Sequence, residues 1–461
     1  MNESSIDQAR HFSACASLAA IGVQVRHLDL FGPIREGMQI AQKTVKHTPS
    51  DKLYDAFISL LAGAHGLVEI NTRLRSDSAL QAAFGRKRCA EQPVVQETLD
   101  ACTGANVSQM EHALDTIYRQ HSRGYQHDYT AAWQLLDVDM SGLPCGKKAA
   151  FASKGYFAEQ RNRRGRQLGR VLATHYEEVV VDRLFGGTTQ LTAALQPLLQ
   201  AAERTLALDE RKRVRTVVRI DAGGGSLEDV NWLLARGYQV HCKDYSSRRA
   251  QRLMQSVHHW VDDPKVAGRQ IGWVDIPAPE YVRPVRRIVV RCRKANGQWG
   301  VGVLISTLGP AQVLTLIRST PRSLTDSAAV LLAYVYLYDQ RGGGVETSFK
   351  GDHQGLGSTK RSKKRFEAQQ IVMLLGTLAH NVVIWARRWL IQTAPSSKLR
   401  HYGLLRLVRD VFHICGFLVF DALGQLCQIV LNRGAPLAST VVTALTNLLA
   451  SAHVAISLGE T

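Results

Sequence analysis

Asp139 lies in WQLLDVDMSGL (133–143), two residues after Asp137, and an alternation period of two puts both carboxyls on one face of a strand. Asp221 closes a second apolar, β-branched run, RTVVRID (215–221), and Glu346 follows a long apolar stretch in YDQRGGGVETSFK. If the two runs are neighbouring strands, Asp139 and Asp221 converge at their ends. A helix returning across the sheet would bring Glu346 to the same point. Three converging carboxylates repel one another unless a cation or a proton compensates. Hard divalent cations such as Mg2+ take oxygen ligands, and a pair of them can activate a nucleophile and stabilise a leaving oxygen in phosphodiester displacement. Each acid alone also reads as an ordinary turn or cap residue.

The charge balance suits that chemistry. Lys and Arg number 57 against 39 Asp and Glu, a formal +18 at pH 7. Such an excess points to a polyanion partner, most often nucleic acid, with a basic surface kept for solubility as the plainer alternative. The positive residues cluster. TKRSKKR (359–365) holds Lys360, Arg361, Lys363, Lys364 and Arg365, just beyond Glu346. RNRRGRQLGR (161–170) and RKRVR (211–215) flank the strands of the two aspartates. Each phosphate neutralised by such residues releases counterions, so binding should fall steeply with salt. Tyr338 and Arg341, three apart on one helical face, could grip a phosphate near the cut. Trp299, in a hairpin, could stack on a displaced base. The glycines 342–344 weaken a helix and allow either a close backbone approach or a turn.

Several classes are excluded. Apolar residues make up 45% and charged residues 21%, which rules out wholesale disorder. The eight cysteines are scattered without a C-x-x-C pair, against a zinc module or a disulfide framework, and a reducing cytoplasm is expected. MNESSIDQARH shows no basic-then-apolar signal pattern. Residues 436–458 are apolar enough to span a bilayer, but Asn447, His453 and several Ser and Thr make a packing helix the expectation.

The elements that must position the acids read as follows. Residues 51–120 are short helices, with Ser50 and Asp51 as cap candidates for the first, and no strand is expected before about residue 130. Three strand-like runs follow (133–143, GRQLGRVLAT, HYEEVVVDRLF), then helix, strand RTVVRID, helix, strand YQVHCK and helix. RRIVVRCRK and WGVGVLIST, joined by ANGQ, form a hairpin. From about residue 321 the chain is helical to its end.

At this point the residues resemble a family. The chain is similar to insertion-sequence transposases of the Asp-Asp-Glu (DDE) class, over roughly residues 50–395. RIDAGGG resembles the family's second-Asp strand and LLDVDMSGLP its first, with Asp139-Met140-Ser141 fitting the frequent Asp-x-Ser/Thr. YVYLYDQRGGGVETSFK (334–350) resembles the group with a Tyr-Arg-Glu-Lys signature. Tyr338 and Arg341 match it. Four residues rather than three then precede Glu346, and His353 stands where the group has Lys, so Lys350, four after Glu346, is the candidate for that role.

The resemblance implies an α/β fold with a ribonuclease-H-like mixed sheet interrupted by an all-β insertion, plus helical N- and C-terminal regions. The domains expected are 1–130 (helical, DNA-end binding), 131–264 (first part of the core), 265–320 (β insertion), 321–395 (last part of the core) and 396–461 (helical, a candidate for dimerisation). It implies Asp139, Asp221 and Glu346 as catalytic and metal ligands for two Mg2+, with Mn2+ as a substitute. DNA contacts fall to Tyr338, Arg341, Lys350, Lys360, Arg361, Lys363, Lys364 and Arg365. The partners implied are double-stranded terminal inverted repeats and target DNA, held by a homodimer in a bacterial-type cytoplasm, nucleoid-associated and without a membrane. Two rivals stay open. VVRIDAGGGSLEDVNWLLARGYQVHCKDYS resembles the nucleotide-binding start of an S-adenosylmethionine-dependent methyltransferase, with Asp244 on the ribose. The other is a DNA-binding transposase relic that no longer cuts.

Overall fold

The computed structural model describes residues 9–43, 46–157, 159–317, 324–392 and 398–460. The N-terminal MNESSIDQ and the expected boundaries near 320 and 395 lie outside the described residues. In chain order, β1 (Ala9–Ser13) precedes the helical region. Next come β2 (Gln134–Pro144), β3 (Ser153–Phe157), β4 (Gln160–Ala173) and β5 (Glu178–Phe185). They are followed by β6 (Thr216–Ile220), β7 (Gln239–Lys243), β8 (Val261–Asp262) and β9 (Arg269–Trp273). After β10 (Arg286–Arg293) and β11 (Trp299–Ser306), the chain ends on β12 (Gly416–Phe420), β13 (Leu426–Asn432) and β14 (Ala455–Gly459). Two compact units result: Met1–Ser122 with Leu143–Arg166 and Phe349–Thr461, and Arg123–Gly142 with Gln167–Ser348.

The first unit is built on the helix Phe366–Gln392, which packs against the helices Pro49–Leu61, Gln92–Ala101 and Gly104–His121. By length and composition this 27-residue helix could cross a membrane, yet 94% of its apolar window is buried inside the unit, as in a core helix. Helix Pro49–Leu61 is capped by Thr48 rather than Ser50: Pro49 fills the first helical position, and Thr48 and Asp51 close a reciprocal capping box.

The expectation of a purely helical C-terminal region is corrected. β1, β12, β13 and β14 form a four-stranded sheet in that order, and β1 also falsifies the absence of early strands. GFLVF is too short for a helix and turns back at Asp421, whose Oδ1 accepts from Leu423 N and Gln425 N, with Gly424 at φ +73°. Residues 436–458 divide into the helix Ala438–Leu448, a turn and β14 instead of one long helix.

The second unit holds a mixed sheet. β5 pairs β4, and the order continues β4-β2-β6-β7-β11-β10-β9-β8. β3 forms a hairpin with the first half of β4 inside the first unit. Counting β2, β4, β5, β6 and β7 as first to fifth, their order is third, second, first, fourth, fifth. β2 and β6 are parallel, β6 and β7 are parallel, and β4 and β5 are antiparallel. The hairpin at ANGQ forms as its residues dictate, with Gly297 at φ +80°. The separate β insertion at 265–320 is corrected, however. β11 pairs antiparallel with β7 through Leu304↔Lys243, Ile305↔Cys242 and Ser306↔His241, so β8–β11 widen the core sheet. Without β11, the edge of β7 would present unpaired backbone N–H and C=O groups, which the antiparallel pairing satisfies. Helix Ser327–Asp339, capped by Asp326, buries Leu331, Tyr334, Val335 and Leu337 in the same core cluster as Val217 and Ile288 of the sheet.

Candidate active site

β2 and β6 run in parallel register from Gln134↔Thr216 to Val138↔Ile220. Asp139 and Asp221 are the next residues on each strand, so they emerge side by side where the pairing ends. Asp221 turns back on itself, its Oδ1 accepting from Gly223 N at 2.9 Å. The segment after helix Ser327–Asp339 supplies Arg341 and Glu346. Arg341 Nη2 lies 2.9 Å from Asp139 Oδ2 and 3.2 Å from the Val138 carbonyl, and Nη1 lies 3.2 Å from Glu346 Oε1.

Exposure is graded across this cluster: the Arg341 side chain is 4% exposed, Asp139 16% and Glu346 58%. The guanidinium is thus the floor and Glu346 the rim. Burial pushes the Asp139 carboxyl up; Arg341 opposes this and the charges of Asp221 and Glu346 add to it, leaving it at about 6. Burial works against the charge of Arg341, but Asp139, Asp221, Tyr338 and Asp137 outweigh it, and its pKa lies above the ordinary value. Arg341 Nε has no hydrogen-bond partner among the described residues.

Asp137, one strand period earlier, does different work. It is fully buried and bidentate on Arg219, Nε–Oδ1 2.6 Å and Nη2–Oδ2 2.8 Å, and Arg219 Nη1 donates to the Leu337 carbonyl at 2.6 Å. This ties β2, β6 and the helix carrying Tyr338 together beneath the acids. Gly344 is required here: a Cβ on it would lie 2.5 Å from Asp137 Oδ2 and 3.0 Å from Thr174 Cγ2. Arg219 was legible in principle, since a lone charge inside an apolar strand needs a buried partner.

The expected DNA contacts divide. Tyr338 is half-buried against the core, and Arg341 faces the acids rather than an open surface. Lys350 is exposed on helix Thr347–Gly355 of the first unit. Of the five charged residues in 359–365, Lys360, Lys364 and Arg365 are exposed. Arg361 is buried on the carbonyls of Leu356 and Ala64, and burial lowers its pKa to about 9. Lys363 is buried on Gln96 Oε1, and burial and Arg361 lower its pKa to about 8. A five-charge surface run is therefore corrected to three. Similarly, Arg166 is buried on the carbonyls of Ala150, Lys363 and Lys364, and Arg170 on Asp182. The Arg291 guanidinium lies 4.5 Å from the Trp299 ring and 3.7 Å from the Trp260 ring.

The donor set fits a hard divalent ion in kind, being three carboxylates with at least one raised by burial. Its present spacing is that of an arginine-centred cluster: among the described residues no three His, Cys, Asp or Glu side chains group closely enough to hold an ion. The methyltransferase-like loop packs closely on the end of β7. A Cβ on Gly225 would lie 1.9 Å from the Lys243 carbonyl oxygen, so the loop closes onto the strand end. Asp244 is buried, caps Ser246 N at 2.9 Å and lies 3.3 Å from Arg249.

No family model matches the chain, and no curated protein matches it. Among solved structures, a cryo-EM piggyBac transposase synaptic complex with hairpin DNA is similar, at 11% identity and a TM-score of 0.44, over 88% of this chain and 82% of that one.

Proposed function

We propose that this chain is a DNA transposase of the Asp-Asp-Glu class, built on a ribonuclease-H-like core, that cuts the ends of a mobile element and joins the freed 3′ hydroxyls to target DNA. The observation that carries this reading is the placement of Asp139 and Asp221 at the end of one parallel strand pair, with Glu346 reaching the same point through Arg341. The strand order of third, second, first, fourth, fifth supports the core assignment. Asp139, Asp221 and Glu346 would hold Mg2+, or Mn2+ in its place, which when bound supplies water activation and stabilisation of the leaving oxygen.

The chain's own residues supply the frame for this chemistry. The Asp137–Arg219 pair fixes the strand ends. Arg341 orients Asp139 and Glu346 and offsets their repulsion. The net charge of +18 favours a DNA partner, and holding two ends calls for a homodimer.

The test is cleavage of DNA carrying the sequences that flank the coding region. Mg2+-dependent release of a 3′ hydroxyl is the expected result. DNA binding without cleavage would leave the relic, and retention of labelled S-adenosylmethionine by the purified chain would favour the methyltransferase.

A further inference from the structure

The first unit carries a second concave site, unrelated to the acids. A cavity of about 360 Å³ lies between the segment leading into helix Pro49–Leu61 and helix Gln92–Ala101. Lys43, Lys46, Lys52, Arg75 and Arg88 line it, five permanent positive charges against Glu91 and Glu97. Glu91 is already committed, 2.6 Å from Arg75. Lys43, Lys46 and Arg88 are exposed and have no ion pair among the described residues.

Lys52 is the telling residue. It is only 4% exposed, yet its ammonium has one hydrogen-bond partner, the neutral Gln42 Oε1 at 3.1 Å, and no carboxylate within ion-pairing distance among the described residues. Gln42 is itself fixed, its oxygen also accepting from Thr98 Oγ1 at 2.6 Å. An ammonium on a buried side chain, with donors unused at the wall of a basic cavity, is completed by an anion that accepts from them.

We propose that this cavity binds a phosphate group, carried either by a nucleic-acid strand or by a free nucleoside polyphosphate. Lys52 donates from the wall while Lys43, Lys46 and Arg88 close on the remaining oxygens. The space admits a phosphate and its sugar but not a double helix. Among the described residues no Trp, Tyr or Phe lines it, so recognition is of phosphate and indifferent to the base. The inference does not depend on the catalytic reading, and either can fail alone.

The test is calorimetric titration of the full chain with pyrophosphate, ATP, CTP and a single-stranded oligonucleotide with or without a 5′ phosphate. Saturable pyrophosphate binding is expected, with ATP and CTP equivalent. Lys43→Glu/Arg88→Glu should weaken it by roughly ten-fold or more at an unchanged melting temperature. Lys52→Gln should abolish the rise in melting temperature that pyrophosphate gives the unaltered chain. The matched reversal Arg293→Glu/Lys294→Glu, at the exposed end of β10, should change nothing. A preference for the 5′-phosphorylated oligonucleotide that the double variant loses assigns the phosphate to a nucleic-acid strand. Equal binding of both oligonucleotides, with ATP binding lost in the double variant, assigns it to a free nucleotide. No saturable binding at millimolar pyrophosphate, or an equal loss in the matched reversal, overturns the proposal.

Discussion

Asp137 and Arg219 are register partners on adjacent parallel strands, and their fully buried side chains meet through hydrogen bonds of 2.6 and 2.8 Å. The next residues on the same face, Asp139 and Asp221, lie where the strands part. One rung is closed on itself by an ion pair, and the next stands at the strand ends beside Arg341. Removing one partner of a buried pair strands the other charge, so Asp137→Asn should lower stability by about 3–5 kcal/mol, read as a lower urea midpoint. Asp137→Leu/Arg219→Met should recover much of that loss. An unchanged midpoint for Asp137→Asn would remove the pair from the account of the fold.

Asp139→Asn, Asp221→Asn and Glu346→Gln keep size and remove charge. Each should cut Mg2+-dependent strand cleavage at least about a thousand-fold while leaving DNA binding nearly intact, as measured by gel shift alongside the cleavage assay. Normal cleavage by Asp221→Asn or Glu346→Gln would sink the three-carboxylate mechanism.

Gly344→Ala should be destabilising by roughly 1–3 kcal/mol, because its Cβ would press on Asp137 Oδ2 at 2.5 Å. Gly343→Ala, with nothing within 4 Å of its Cβ, should stay within about 0.5 kcal/mol. Thermal melts of the two variants side by side make the comparison, and equal melting temperatures would contradict it.

Lys363 gives a pH signature. Its folded pKa of about 8 lies below the ordinary lysine value of 10.5, so between those values the unfolded chain holds a proton that the folded chain has lost. The unfolded state then binds more protons, and stability rises with pH across that window. Lys363→Met should remove this rise. Parallel stability-versus-pH curves for the two proteins would show that burial does not act on this ammonium.

Neutralising Lys360, Lys364 and Arg365 should reduce the slope of log affinity for DNA against log salt by up to about three, at roughly 0.9 per phosphate contact. Arg361→Ala should instead reduce stability, since its guanidinium is spent on two backbone carbonyls. A slope unaffected by the triple change would take this segment out of the interface.

What the sequence determined by itself is local. Period-two alternation placed Asp137 and Asp139 on one face, β-branching marked the strand ending at Asp221, and Asn-Gly marked the β10–β11 hairpin, because each follows from neighbours along the chain. The tertiary structure decided what depends on partners far away in sequence. Arg219 claims Asp137, while Asp139 meets Arg341 at the strand end. Arg341 turns inward because Val138, Asp139 and Glu346 surround it. Ala64 and Gln96 draw Arg361 and Lys363 out of the basic run. The free edge of β7 takes up the hairpin that the sequence set apart. Burial and long-range pairing are properties of the packed chain, and a run of charges reads the same whether its side chains meet water or a carbonyl 297 residues away.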